Sequence, residues 1–221
     1  LRESLLNVGR KKVELAAESI YSVNPFAEVH AYSDGVTDTN IDGFLKDPKV
    51  DVVIDEIDDF RMKVLLRVKA KEIGIPLLMF TSLGDNILVD IERYDLEPAT
   101  RYFNGLLHDD GQAILDNPNI DQAFIRRYSV EVVGQEYIPT KALASVMQMG
   151  KTLVGRPQLY STIAIDGGLA SYTVRKLLLG EELPSGRYFF RVGDIFGLGD
   201  KDFAEDEMRQ QILEKLFAGP K

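Results

Sequence analysis

The stretch that most constrains the fold is residues 50–59, VDVVIDEIDD. Its first half, Val50, Val52, Val53 and Ile54, is a nearly continuous apolar run broken by Asp51. Such a run suits a short parallel strand buried on both faces rather than a half-exposed alternating one. Its second half carries Asp55, Glu56, Asp58 and Asp59, where the strand should stop and a helix begin. In open α/β sheets, ligands bind in the crevice outside the carboxyl ends of the strands. Acids at that place can hold a divalent metal, because hard cations prefer oxygen donors, or cap the next helix at its positive end. Taken alone, the stretch favours capping.

The residues around it extend the sheet. Residues 10–22 place Val13, Ala16, Ala17, Ile20 and Tyr21 on one stripe and predict a helix that Asn24-Pro25 ends. Residues 28–33 read as a strand, and 37–45 as a short helix capped by Thr37 or Thr39. Residues 60–73 form an amphipathic helix with Val64, Leu65, Val68 and Ile73 on its core face, closed by Gly74. Residues 75–81, IPLLMFT, are a second continuous apolar strand, and Gly84, Asp85 and Asn86 turn into a third over 87–91. Strand, helix, strand with short turns implies right-handed crossovers. The fold class is therefore α/β, Rossmann-like, with a mostly parallel sheet flanked by helices and a helical C-terminal extension.

Beyond residue 92 the pattern weakens. Helical pieces are expected over 121–128 and 140–153. A longer, largely buried helix over 158–179 is interrupted by Gly167-Gly168 and ended by Gly180. A strand over 188–192 and a charged amphipathic helix over 202–217 follow. No repeat or low-complexity linker divides the chain, so residues 1–221 read as one domain, a core over 1–92 with an extension over 93–221 packed on it.

Composition excludes several functions. The formal charge of -9, from 26 basic and 35 acidic residues, argues against nucleic acid as a partner, since phosphate binding needs a basic face. With no cysteine, this chain holds no structural disulfide, Cys-based zinc site or cysteine thioester. His30 and His108 are the only histidines, which weighs against a histidine-rich metal site. No apolar run approaches the roughly 20 residues of a membrane helix, and a cytoplasmic location is the default. Leu1 opens within a polar stretch, so further residues are expected upstream.

Three patches in order carry a resemblance. Gly9-Arg10-Lys11-Lys12-Val13-Glu14 is followed one helix later by Asn24-Pro25, and then by a hydrophobic strand, Asp55, two residues and Asp58. This resembles the ThiF/MoeB superfamily, the fold shared by ubiquitin-activating and bacterial sulfur-carrier-activating enzymes. Its pattern is roughly G-x-x-K-V-E, then N-P, then D-C-T-D-N. A fourth patch, GGLASYTVRKLLLG over 167–180, is similar to the family's late helix. The resemblance covers the first ninety or so residues and then this helix.

It implies ATP-dependent adenylation of a carboxylate, on a carrier-protein tail, a peptide or a small acid, through an acyl-adenylate with release of pyrophosphate. By position it assigns Lys12 to the nucleotide phosphates, Asp58 to the Mg2+ that accompanies ATP, and Ile57 to the nucleotide site, with Lys12 and Asp58 catalytic. Residues 1–92 are then the nucleotide-binding core, and a homodimer is implied. The alternative is a non-catalytic ThiF-like nucleotide-binding or interaction module. The family's Gly-x-Gly-x-x-Gly loop is absent, and by resemblance its unit falls before Leu1; Gly193, Gly197 and Gly199 have the wrong spacing to replace it. Asp59 stands where the family has Asn, and Glu56-Ile57 replaces Cys-Thr. Asp58-Asp59-Phe60 with Lys63 resembles a tRNA-modifying branch, but the acidity of the chain argues against tRNA, and Lys63 reads as an exposed residue opposite Leu65.

Overall fold

The computed structural model describes residues 4–107, 111–117, 122–198 and 207–217. His108, Gly199, Asp121 and residues 202–206 of the expected last helix lie outside them. The first half runs α1 (Lys12–Val23), α2 (Ile41–Lys46), β1 (Val53–Asp55), α3 (Phe60–Ile73), β2 (Leu77–Leu83) and β3 (Asn86–Glu92). The second half runs α4 (Gly111–Leu115), α5 (Gln122–Val133), α6 (Thr140–Gln148), α7 (Tyr160–Leu178), β4 (Gly186–Arg191) and α8 (Glu207–Phe217).

The α/β class and its Rossmann-like start are present. β1 and β2 pair in parallel, in register Val53 to Leu77, through the crossover helix α3. Beyond β2 the sheet departs from the expected parallel course. β2–β3 is an antiparallel hairpin closed by Gly84-Asp85, because two residues can only reverse the chain, and β3–β4 is antiparallel too. The four-stranded sheet, in order β1-β2-β3-β4, is therefore mixed.

The apolar strand β2 is continuous because both its faces are covered. Leu77 and Met79 pack with α3 on one side, and Leu78 and Phe80 pack under Ile165, Leu169, Ala170 and Val174 of α7 on the other. The period of two splits one run between two cores. A further cluster joins Leu83 and Leu88 to Leu143 of α6 and to Ile212 and Leu216 of α8.

β1 corrects the first expectation. It is three residues long and alternates, with Val53 and Asp55 buried and Ile54 45% exposed, because it forms the edge of the described sheet. Residues 28–33 form no ladder among the described residues, and most are exposed. The long helix also differs. α7 runs unbroken through Gly167 and Gly168, which face solvent, and it is half-buried, with only Thr162, Asp166 and Thr173 fully buried. Packing of its apolar stripe on β2 and β3 outweighs the roughly 1 kcal/mol that each glycine costs a helix.

α3 is bounded as its sequence predicts. The carboxylate of Asp59 accepts a hydrogen bond from the Met62 N–H at 2.9 Å, and Gly74 ends the helix at φ 68°, ψ 54°, a conformation costly for any residue with a Cβ. These two ends fix the crossover and set the β1–α3 turn at the carboxyl edge of the sheet.

Candidate functional site

A cleft of about 180 Å³ opens at the carboxyl ends of β1 and β2, the place where α/β sheets bind ligands. The β1–α3 turn supplies Glu56, Ile57 and Asp58, α3 supplies Phe60 and Lys63, and the end of β2 supplies Met79 through Ser82. Ser129 and Val132 of α5 close one side. Arg156 and Gln158, from the loop before α7, and Asp166, from α7 itself, close another.

The four carboxylates of the turn have four different fates. Asp55 is fully buried. Its Oδ1 accepts from the Ile57 N–H at 3.0 Å and from Lys63 Nζ at 3.1 Å, and its Oδ2 accepts from Arg67 at 2.6 Å. Burial disfavours its charge, but the Arg67 and Lys63 cations outweigh burial and hold its pKa below the ordinary carboxylate value. Asp59 caps α3. Asp58 is exposed at the cleft and makes no side-chain hydrogen bond or ion pair among the described residues. Glu56 is exposed as a residue, yet one carboxylate oxygen turns inward to accept from the Phe80 N–H at 3.2 Å. Desolvation, and then the charge of Asp166, push its pKa up to about 7.

Lys63 is not the exposed residue expected opposite Leu65. Its side chain is only 20% exposed, is tied to Asp55 and approaches Met79 sulfur at 3.6 Å. Burial lowers its pKa more than Asp55 raises it. Behind it Arg67, fully buried, bridges Asp55 and Glu92, whose Oε2 it meets at 2.9 Å, and lies 3.6 Å over the Phe103 ring. Glu92 also accepts from the Tyr94 hydroxyl at 2.6 Å and the Phe103 N–H at 2.7 Å. This buried network is the foundation that fixes the floor of the cleft.

Of the residues assigned by resemblance, Ile57 and Asp58 come together at the cleft. Lys12 does not line it. It is the exposed first residue of α1, with no ion pair among the described residues, and its neighbour Lys11 pairs with Asp34 at 3.1 Å. Sequence reasoning passed over Glu56, Lys63 and Asp166 as site residues. The signal for Asp166 is present: a lone carboxylate in the otherwise uncharged run TIAIDGGLA. That for Arg67 is its place beside Val64 and Val68 on the core stripe.

The cleft fits part of the implied group set. Among the described residues no cluster of three or more His, Cys, Asp or Glu could hold a metal ion. Mg2+ is commonly held by one or two carboxylates together with substrate phosphates and water, and Asp58 can serve as that carboxylate. The volume lies below the roughly 300–1,000 Å³ of a drug-sized pocket, so the cleft suits the reacting groups rather than a whole nucleotide.

An α/β sheet with a polar cleft at its carboxyl edge defines the chain as Rossmann-like, with a candidate ligand site in the usual place. A profile of the ThiF family matches residues 4–192, and the chain belongs to that family. It is 34% identical over 184 residues, 83% of its length, to the uncharacterized protein MT1398 of Mycobacterium tuberculosis (strain CDC 1551 / Oshkosh). That stretch is 25% of the relative, so the chain spans about a quarter of the protein it matches. No helix among the described residues is long and apolar enough to cross a membrane.

Proposed function

We propose that the cleft is where a carboxylate is activated with ATP. The substrate carboxylate oxygen bonds to the α-phosphorus, the bond to the bridging oxygen breaks, and pyrophosphate leaves with that oxygen, giving an acyl-adenylate. The observation that carries this reading is the free carboxylate of Asp58 at the carboxyl edge of the sheet, beside three acids that do other things. Asp58 is the residue that would hold Mg2+, which supplies charge neutralisation on the phosphates. Arg156, with no ion-pair partner among the described residues, and Lys63 add positive charge to the cleft where phosphate charge develops. Ile57 would contact the nucleotide. A carrier-protein tail, a peptide or a small acid all fit, and a homodimer belongs to the same reading.

One observation favours a second reading. Lys12 lies outside the cleft, as it would in a nucleotide-binding or interaction module without catalysis. Thermal unfolding of the full-length protein with ATP, with and without Mg2+, tests the first reading against no binding at all. Stabilisation is expected for the wild type with both, because a ligand that binds only the folded state raises the midpoint, and it should be lost in Asp58→Ala. Equal midpoints with and without ATP would refute nucleotide binding. Loss of the shift in Lys12→Ala would bring that lysine into the site.

A further inference from the structure

The acidic end of the cleft leaves one buried carboxylate oxygen without a hydrogen-bond donor among the described residues. Asp166 is 7% exposed and lies just beneath the cleft surface. Its Oδ2 accepts from Ser82 Oγ at 2.9 Å, whereas Oδ1 is buried and has no hydrogen-bond partner among the described residues. A buried acceptor left without a donor bears its full desolvation penalty. Burial raises the pKa of Asp166 against the opposing Ser82 bond. Glu56 lines the same cleft from the end of β1.

The cations of the cleft do not fill this place. Lys63 donates to Asp55, and neither Lys63 nor Arg156 gives Asp166 Oδ1 a hydrogen bond. Among the described residues no third acid joins the pair in a metal-binding cluster, so a divalent cation here would draw most of its ligands from water or substrate. A primary ammonium asks for less. It carries three donors and a full charge, which answers an orphaned carboxylate oxygen, a second carboxylate and the open mouth of the cleft.

We propose that Asp166 and Glu56 form a subsite for the primary ammonium group of an amino-bearing ligand. For the acid activated in the cleft, this means an amino acid or a peptide whose free amino group lies near its carboxylate. That extension rests on the adenylation reading above, while the subsite itself does not.

The test is a titration of the full-length protein with propylammonium, followed by the backbone amide resonances of Phe80 and Ser82, in the absence of nucleotide. Tetramethylammonium, which has the charge but no N–H, and Mg2+ serve as controls. Saturable shifts are expected with propylammonium alone. They should weaken by about tenfold or more in Asp166→Asn, the effect of losing a charge-assisted hydrogen bond. Glu56→Gln, at a more exposed residue, provides a second variant if Asp166→Asn fails to fold, and should weaken the same shifts. No saturable shift, equal response to tetramethylammonium, displacement by Mg2+ or unaltered binding in the folded variants would overturn the proposal. With no nucleotide present, its failure leaves the adenylation reading standing, and failure of ATP binding leaves the subsite standing.

Discussion

Replacing Arg67 by methionine removes the cation from under the cleft while keeping a side chain of similar length. Arg67 is completely buried between Asp55 and Glu92. Removing one partner of a buried ion pair typically costs about 3–5 kcal/mol, because the other charge stays buried and unpaired. Two carboxylates lose a partner here, but each keeps others: Asp55 keeps Lys63 and the Ile57 N–H, and Glu92 keeps Tyr94 and the Phe103 N–H. The expected loss is therefore about 4 kcal/mol, not the sum of two pairs. For a chain of this size that lowers the midpoint by about 8–16 °C.

Urea unfolding followed by circular dichroism, with the wild type alongside, measures the loss at neutral and mildly acid pH. In the wild type the Asp55 pKa is depressed, so its contribution is present above the ordinary carboxylate value and is lost as pH falls through the folded value. In Arg67→Met the same carboxyl lacks its main cation, and burial raises its pKa, as it already raises that of Glu92. The folded variant then binds more protons than the unfolded chain and gains stability as pH falls. The gap between wild type and variant should narrow on acidification. A loss below about 1 kcal/mol, no more than an exposed pair contributes, or a gap that widens in acid, would refute the network.

Three further substitutions separate capping and titration from the chemistry of the site. Asp59→Ala should cost about 1 kcal/mol by removing the α3 cap, while Asp58→Ala, at an exposed residue with no partner among the described residues, should stay within about 0.5 kcal/mol; equal losses in chemical denaturation would contradict the division of roles. Glu56, raised from 4.5 to about 7, binds a proton in the folded state that the unfolded chain has released, so stability should fall as pH rises through that window. Because Glu56 is partly exposed and solvent screens it, the fall should be about 1 kcal/mol rather than the full value of the shift. Glu56→Gln should flatten it, and an unchanged slope would count against the raised pKa.

What the sequence makes legible here is local. α3 follows from the period of Val64, Leu65 and Val68 between an Asp cap and a Gly stop, and β2 follows from an apolar run with both faces covered. What it hides depends on distant neighbours. The edge position of β1 is set by which strands flank it, and Ile54 is exposed for that reason alone. The antiparallel turn of β3 was foreshadowed by Gly84-Asp85-Asn86, but the strand reading around it did not carry direction. Lys63 looked solvent-facing because its partner Asp55 lies on a different element. Asp166 joins the cleft across 84 residues, through Ser82. Asp58, by contrast, is placed at the cleft by the turn that its own sequence predicts.

Pyrophosphate exchange into ATP by the full-length protein, measured with Mg2+ in the wild type, Asp58→Ala and Asp59→Ala, tests the central claim most directly. The claim requires Mg2+-dependent exchange in the wild type in the presence of its acid substrate. It also requires loss of that exchange in Asp58→Ala and its retention in Asp59→Ala at temperatures where that variant stays folded. Exchange that survives in Asp58→Ala, or that is lost equally in both variants, would contradict the assignment of Asp58 as the free carboxylate of the site.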